Sequence, residues 1–90
     1  MDRIYKFEYV PVGGRSAIVR YIDLDQIVAI GMFMSEDLIG VQIDCKYRDA
    51  PLVIEILTEQ EQLSSEMERV AAEVAALVAA WSIRRNNKVG

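Results

Sequence analysis

Leu63, Met67, Val70, Val74, Leu77 and Trp81 are separated by four, three, four, three and four residues. Only an α-helix gathers residues at that spacing onto one face. Upstream of this stripe the period falls to two, the signature of strands. Tyr5, Phe7 and Tyr9 alternate with Lys6 and Glu8, which predicts a strand over residues 3–10. Pro11-Val12-Gly13-Gly14 follows as a hairpin turn, since proline presets φ and glycine supplies positive φ. The return strand spans 15–22, with Ala17, Val19 and Tyr21 on one face and Ile18, Arg20 and Ile22 on the other. After an acidic turn, Asp23-Leu24-Asp25, residues 26–34 are apolar on both faces, as a central strand buried on two sides would be. Gly31 inside that run suggests a bulge or a close backbone approach. Ile39, Val41, Ile43, Cys45 and Tyr47 then alternate with Gly40, Gln42, Asp44 and Lys46, giving a strand with one wet face. A turn at 48–51 leads to a short last strand over 52–57.

The helix is expected over 58–86, with a short tail at 87–90. Thr58 and Glu61 have the spacing of a capping box, in which hydroxyl and carboxylate each satisfy a free backbone N–H. Glu59, Glu61, Glu66 and Glu68 at its start, and Arg84, Arg85 and Lys88 at its end, complement the helix dipole. Short turns favour antiparallel pairing, and a sheet with one apolar face needs a cover. The predicted fold is therefore a single α+β domain over 1–90: an antiparallel meander of about five strands with one long C-terminal helix on one face.

Composition narrows the function. Hydrophobic residues make up 52% of the 90, generous for a chain of this size: either the core is unusually rich or some apolar surface is buried in a partner. Opposite the core stripe, Ala72, Ala75, Ala76, Ala79 and Ile83 form a second apolar face. Small side chains let another backbone approach closely, so this face is the candidate interface of a homo-oligomer or adaptor, although alanine also suits a solvated helix. The 4–3 stripe has heptad spacing too, but it is short and a sheet beside it needs covering. The net charge of −4 disfavours nucleic acid and anionic membranes. The alternative to assembly is a single-stranded nucleic-acid module on the N-terminal hairpin, with Arg3, Lys6, Arg15 and Arg20 beside Tyr5, Phe7, Tyr9 and Tyr21.

Catalysis finds little material. The chain has no histidine, the usual general base and zinc ligand. Asp23 and Asp25, with Asp44 and Asp49, are carboxylates without the glycine and terminal glutamate of a calcium loop. Cys45, the single cysteine, occupies an inward strand position and suits a structural thiol in a reducing compartment. Gly13-Gly14-Arg15 matches no phosphate-loop spacing. Arg84, Arg85 and Lys88 offer a phosphate or an acidic partner three cations at a helix end. No cofactor or metal is expected. Neither a leader nor a membrane-spanning run is read, so the expected setting is soluble and cytoplasmic.

The segment Tyr21-Ile22-Asp23-Leu24-Asp25-Gln26-Ile27-Val28-Ala29-Ile30 resembles small bacterial and phage proteins of uncharacterised function and the start of the flagellar FlbD-like family. In layout the resemblance covers residues 15–81. It implies a β-meander on one C-terminal helix and an accessory or interaction role, and it supplies no catalytic residue. The chain departs from that pattern in being longer at both ends and in lacking an Asn-Gly hairpin.

Overall fold

A computed structural model describes residues 3–12 and 16–89. Among the described residues, five strands precede one helix: β1 (Ile4–Tyr9), β2 (Ile18–Asp23), β3 (Ile27–Met34), β4 (Leu38–Cys45), β5 (Leu52–Leu57) and α1 (Leu63–Val89). The class is α+β with antiparallel sheets and one long C-terminal helix. The meander divides into two sheets, a β1-β2 hairpin and a three-stranded β3-β4-β5 sheet. The division falls at the acidic turn, where Leu24–Gln26 forms a 3-10 turn and the Asp23 carboxylate accepts from the Asp25 N–H at 3.0 Å. Leu24 is buried there, so the turn is anchored in the core.

The strands form where alternation is cleanest. In β1, Phe7 and Tyr9 are buried and Lys6 and Glu8 exposed. In β4, Ile39, Val41 and Ile43 are fully buried, and β5 adds Ile54 and Ile56 opposite them. From the helix come Val70, Val74, Leu77 and Ala80. Hairpin, sheet and helix thus share one core, and each buried large aliphatic side chain stabilises it by about 1.5–3 kcal/mol. Leu63, Met67 and Trp81, the other stripe residues, are half-buried against that core. At about 1.5 Å per residue the 27-residue helix is about 40 Å long. That length sets the 46 Å long axis of the molecule.

Several expectations are corrected. The 26–34 segment is not central. β3 is an edge strand, and Val28, Ala29, Gly31, Phe33 and Met34 are exposed. Its apolar composition reflects position on an edge whose inner side chains, Ile30 and Met32, are only half covered. The bulge lies between Ile27 and Ala29, not at Gly31. The close approach is instead at Gly40, where a Cβ would collide with the Phe33 ring. Phe33 therefore lies across its cross-strand partner, and only glycine leaves it room. Tyr47 does not continue the inward row of β4. It is 95% exposed in the following turn, at φ 64, a left-handed conformation that stops the strand.

The helix also begins later than expected. Gln60–Gln62 forms a 3-10 turn behind Glu59, with no side-chain cap, and α1 starts at Leu63. The Thr58 hydroxyl donates to the Glu59 carbonyl at 3.4 Å instead of capping the helix. The Thr58 N–H is taken by the Asp37 carbonyl at 2.9 Å, which ties this residue to the β3–β4 turn and outside the helix. At the other end the helix continues through Asn86 and Asn87 to Val89.

Candidate functional site

The outer side of α1 carries the helix face singled out in the sequence. Ala72, Ala75, Ala76, Ala79 and Ile83 are all exposed, as are Ala71 and Val78. Between Arg69 and Arg84, no exposed helix position bears a charge. The face follows from the core: Val70, Val74, Leu77 and Ala80 point inward, and at 100° per residue the alanines point out. Ile83 is 46% exposed and Val78 39%, a pair of large apolar side chains only partly covered within the chain.

The hairpin residues are placed differently. Tyr9 and Phe7 are buried and Tyr5 is half-buried, so these rings are committed to the core. Tyr21 alone among the hairpin aromatics is exposed, at 69%. Arg3 pairs with Asp23 at 3.3 Å and Lys6 with Glu8 at 3.8 Å. Arg20 donates to the Val19 carbonyl at 2.9 Å. Gly13, Gly14 and Arg15 lie outside the described residues, as do the Lys88 side chain and Gly90. The described cations thus sit at separate points on the hairpin, each with a partner, and three of the four aromatic rings lie beneath.

Polar contacts at two points along α1 join it to the hairpin and to the acidic turn that follows it. Glu66 is fully buried. Its carboxylate accepts from the Tyr9 hydroxyl and from the Val12 N–H, the latter at 3.1 Å to each oxygen. Arg69 lies over the Tyr9 ring, 5.4 Å from its centroid, and donates to the Val10 carbonyl at 3.0 Å. Burial first, and then the hydrogen bond to Glu66 and that carboxylate's charge, hold the Tyr9 phenol well above its ordinary range. Tyr5 is raised as well, by burial and by Glu73. At the far end of the helix, the Arg84 guanidinium grips Asp25, Nε to Oδ1 at 2.9 Å and Nη2 to Oδ2 at 3.1 Å. Arg85, its neighbour, stacks on Trp81 at 5.0 Å.

Neither contact is anticipated by the sequence reading. Glu66 counts there among the dipole acids, yet it lies three residues after Leu63 and four before Val70, in phase with the core stripe. Tyr9, an inward tyrosine whose hydroxyl needs a partner, is the second signal. Arg84 is likewise in phase, three residues after Trp81. Asp25 is ion-paired with Arg84. Asp44 accepts from the Gln42 amide at 3.2 Å, and Asp49 is exposed. Cys45 is half-buried against the core, its thiol 3.9 Å from the Ile43 carbonyl.

Concave surface is shallow. A hollow of about 410 Å³ between β1 and α1 is lined by Glu8, Tyr9, Val10, Arg69, Ala72 and Glu73. Another, of about 610 Å³, lies between the hairpin and β5, where Asp37, Glu55 and Glu59 are its charged lining residues. Among the described residues, no three His, Cys, Asp or Glu side chains converge as a metal-holding group. No described helix is long and apolar enough to cross a membrane.

Comparison with known proteins adds no relative: no family model, curated protein or solved structure matches the chain.

Proposed function

We propose that this chain works by assembly, as a non-enzymatic protein that pairs with a second copy of itself through the outer face of α1. The observation that carries this reading is the exposed apolar surface of Ala71, Ala72, Ala75, Ala76, Val78, Ala79 and Ile83, about three helical turns long, with Glu73 half-buried beside it. Ala72, Ala76, Ala79 and Ile83 repeat at four, three and four residues, a seam two helices can share.

The occupant follows from the sizes along that seam. An antiparallel partner related by a two-fold axis between Ala76 and Ala79 sets Ile83 against Ala72 of the partner subunit. Ala76 then faces Ala79 of the partner subunit, so the one large side chain at each end meets a small one. Glu68 and Arg69 at one end fall beside Asn86 and Asn87 at the other, giving a polar rim to an apolar centre. A parallel pair would crowd isoleucine on isoleucine and leave a gap at Ala72. Assembly also accounts for a hydrophobic content of 52% in 90 residues.

The test is mass in solution by size-exclusion chromatography with light scattering. Ala76→Glu and Ile83→Glu each place a carboxylate in the seam and are expected to remove one level of assembly. An unchanged mass in both would overturn this surface.

A further inference from the structure

The three-stranded sheet has two edges, and they are not equivalent. The β5 edge borders the hairpin: Glu55 and Leu57 share a hollow with Ser16 and Ile18. Along the β3 edge Val28, Ala29, Gly31, Phe33 and Met34 are all exposed. Its ladder is with β4 alone, and among the described residues no backbone hydrogen bond outside that ladder involves 28–34. An edge strand presents a row of unpaired N–H and C=O groups, and proteins blunt such edges with lysine, proline, short length or a bulge. Of these devices β3 has only a bulge, between Ile27 and Ala29. The strand is eight residues long, Ile-Val-Ala-Ile-Gly-Met-Phe-Met, with neither a charge nor a proline. The bulge bends its start, and from Ala29 to Met34 the register is regular.

We propose that the β3 edge is a docking strand for β3 of a second copy of this chain, the two paired antiparallel across a two-fold axis at Gly31. The product is a continuous six-stranded sheet. Three observations select this occupant. Unpaired backbone groups along a straight edge are matched by another extended backbone. The strand is neutral throughout, so two copies of a chain of net charge −4 meet here without opposing like charges, and a charged peptide finds no complement. The side chains also fit in this register. Phe33 comes opposite Ala29 of the partner subunit, and Gly31 opposite Gly31 of the partner subunit. The Phe33 ring already leans over Gly40, away from the edge, and a Cβ built on Gly31 meets nothing within 4 Å. The edge therefore offers small residues where a second backbone must come close.

This contact is separate from the α1 seam, and the two predict distinct masses. A chain with both makes a tetramer or a longer string. Ile83→Glu is expected to leave a dimer held by β3. Gly31→Lys, which the open space at that position accommodates, sets two ammonium groups opposite each other in the new sheet. It is expected to weaken the β3 contact roughly tenfold or more, since like charges directly opposite destabilise a strand pair. The double variant is expected to be a monomer. Hydrogen–deuterium exchange gives a readout that needs no β3 variant. In the Ile83→Glu chain, amides of residues 28–34 are expected to exchange more slowly at high than at low protein concentration. A monomeric Ile83→Glu chain, or β3 amides that exchange equally at both concentrations, would overturn the proposal. If Ile83→Glu leaves the mass unchanged while Gly31→Lys gives a monomer, the helix seam fails and the β3 edge stands.

Discussion

The two ends of α1 are fastened, one to the hairpin and one to the acidic turn that follows it, by a carboxylate each, and the two fastenings work on different physics. Near the helix start, Glu66 is fully buried and is met by neutral donors, the Tyr9 hydroxyl and the Val12 N–H. Near its end, Asp25 keeps some contact with water and is met by the Arg84 guanidinium, with side chains 16% and 28% exposed. The first is a hydrogen-bonded site in a dry setting, where an unmatched polar atom carries the full cost of desolvation. The second is a bidentate ion pair at the boundary with solvent, where water and salt moderate whatever is gained or lost. The lesson is that a charge in the core stripe is tolerated only with all its partners in place, whereas a charge at the rim tolerates imperfection.

The most damaging way to break this contrast is Glu66→Ala. It strands the Tyr9 hydroxyl and the Val12 N–H and opens a cavity, and is expected to cost about 3–5 kcal/mol. Urea denaturation followed by circular dichroism measures it, and the loss should be insensitive to added salt.

Tyr9→Phe is milder and sharpens the comparison through pH. At neutral pH it removes one donor from a buried carboxylate, an expected loss of about 1–3 kcal/mol. Above pH 10 the sign matters. The Tyr9 phenol is raised above its ordinary value of 10.0 in the folded chain, so the folded state keeps a proton that the unfolded state releases. Its stabilising effect is complete below pH 10 and declines as pH rises further. The Tyr9→Phe chain lacks this part of the decline, so above about pH 10 its stability should fall less steeply than that of the parent chain. Tyr5, also raised, leaves a residual slope in both.

Asp25→Asn is expected to have the smallest effect. It leaves the shape and removes the charge, for a loss of about 1–2 kcal/mol at low salt that shrinks as sodium chloride is added. A loss as large as that of Glu66→Ala, and independent of salt, would erase the distinction between the two ends.

Much of the architecture was legible along the chain. Tyr5, Phe7 and Tyr9, the alternation from Ile39 to Cys45, and the row from Leu63 to Trp81 each announce an element and its buried side, because period alone decides which side chains share a face. The outer alanine face of the helix was legible for the same reason, as the complement of the stripe. The polar fastenings were not, because their partners lie 57 and 59 residues apart and neither partner looks unusual alone. Nor was the rank of β3. An uncharged run suits a strand buried on two sides, and it equally suits an edge that a partner could cover.

What the sequence determined by itself is local. It set the five strands and the helix, and the inward faces of β1, β4 and α1, since backbone geometry converts spacing into direction without reference to the rest of the molecule. The tertiary structure decided everything that depends on which elements become neighbours. It divided the meander at Leu24, made β4 the centre and β3 the edge, started the helix at Leu63 and carried Glu66 into the core. Those outcomes follow from the shared packing of hairpin, sheet and helix, and from hydrogen-bond partners that only the folded chain brings together.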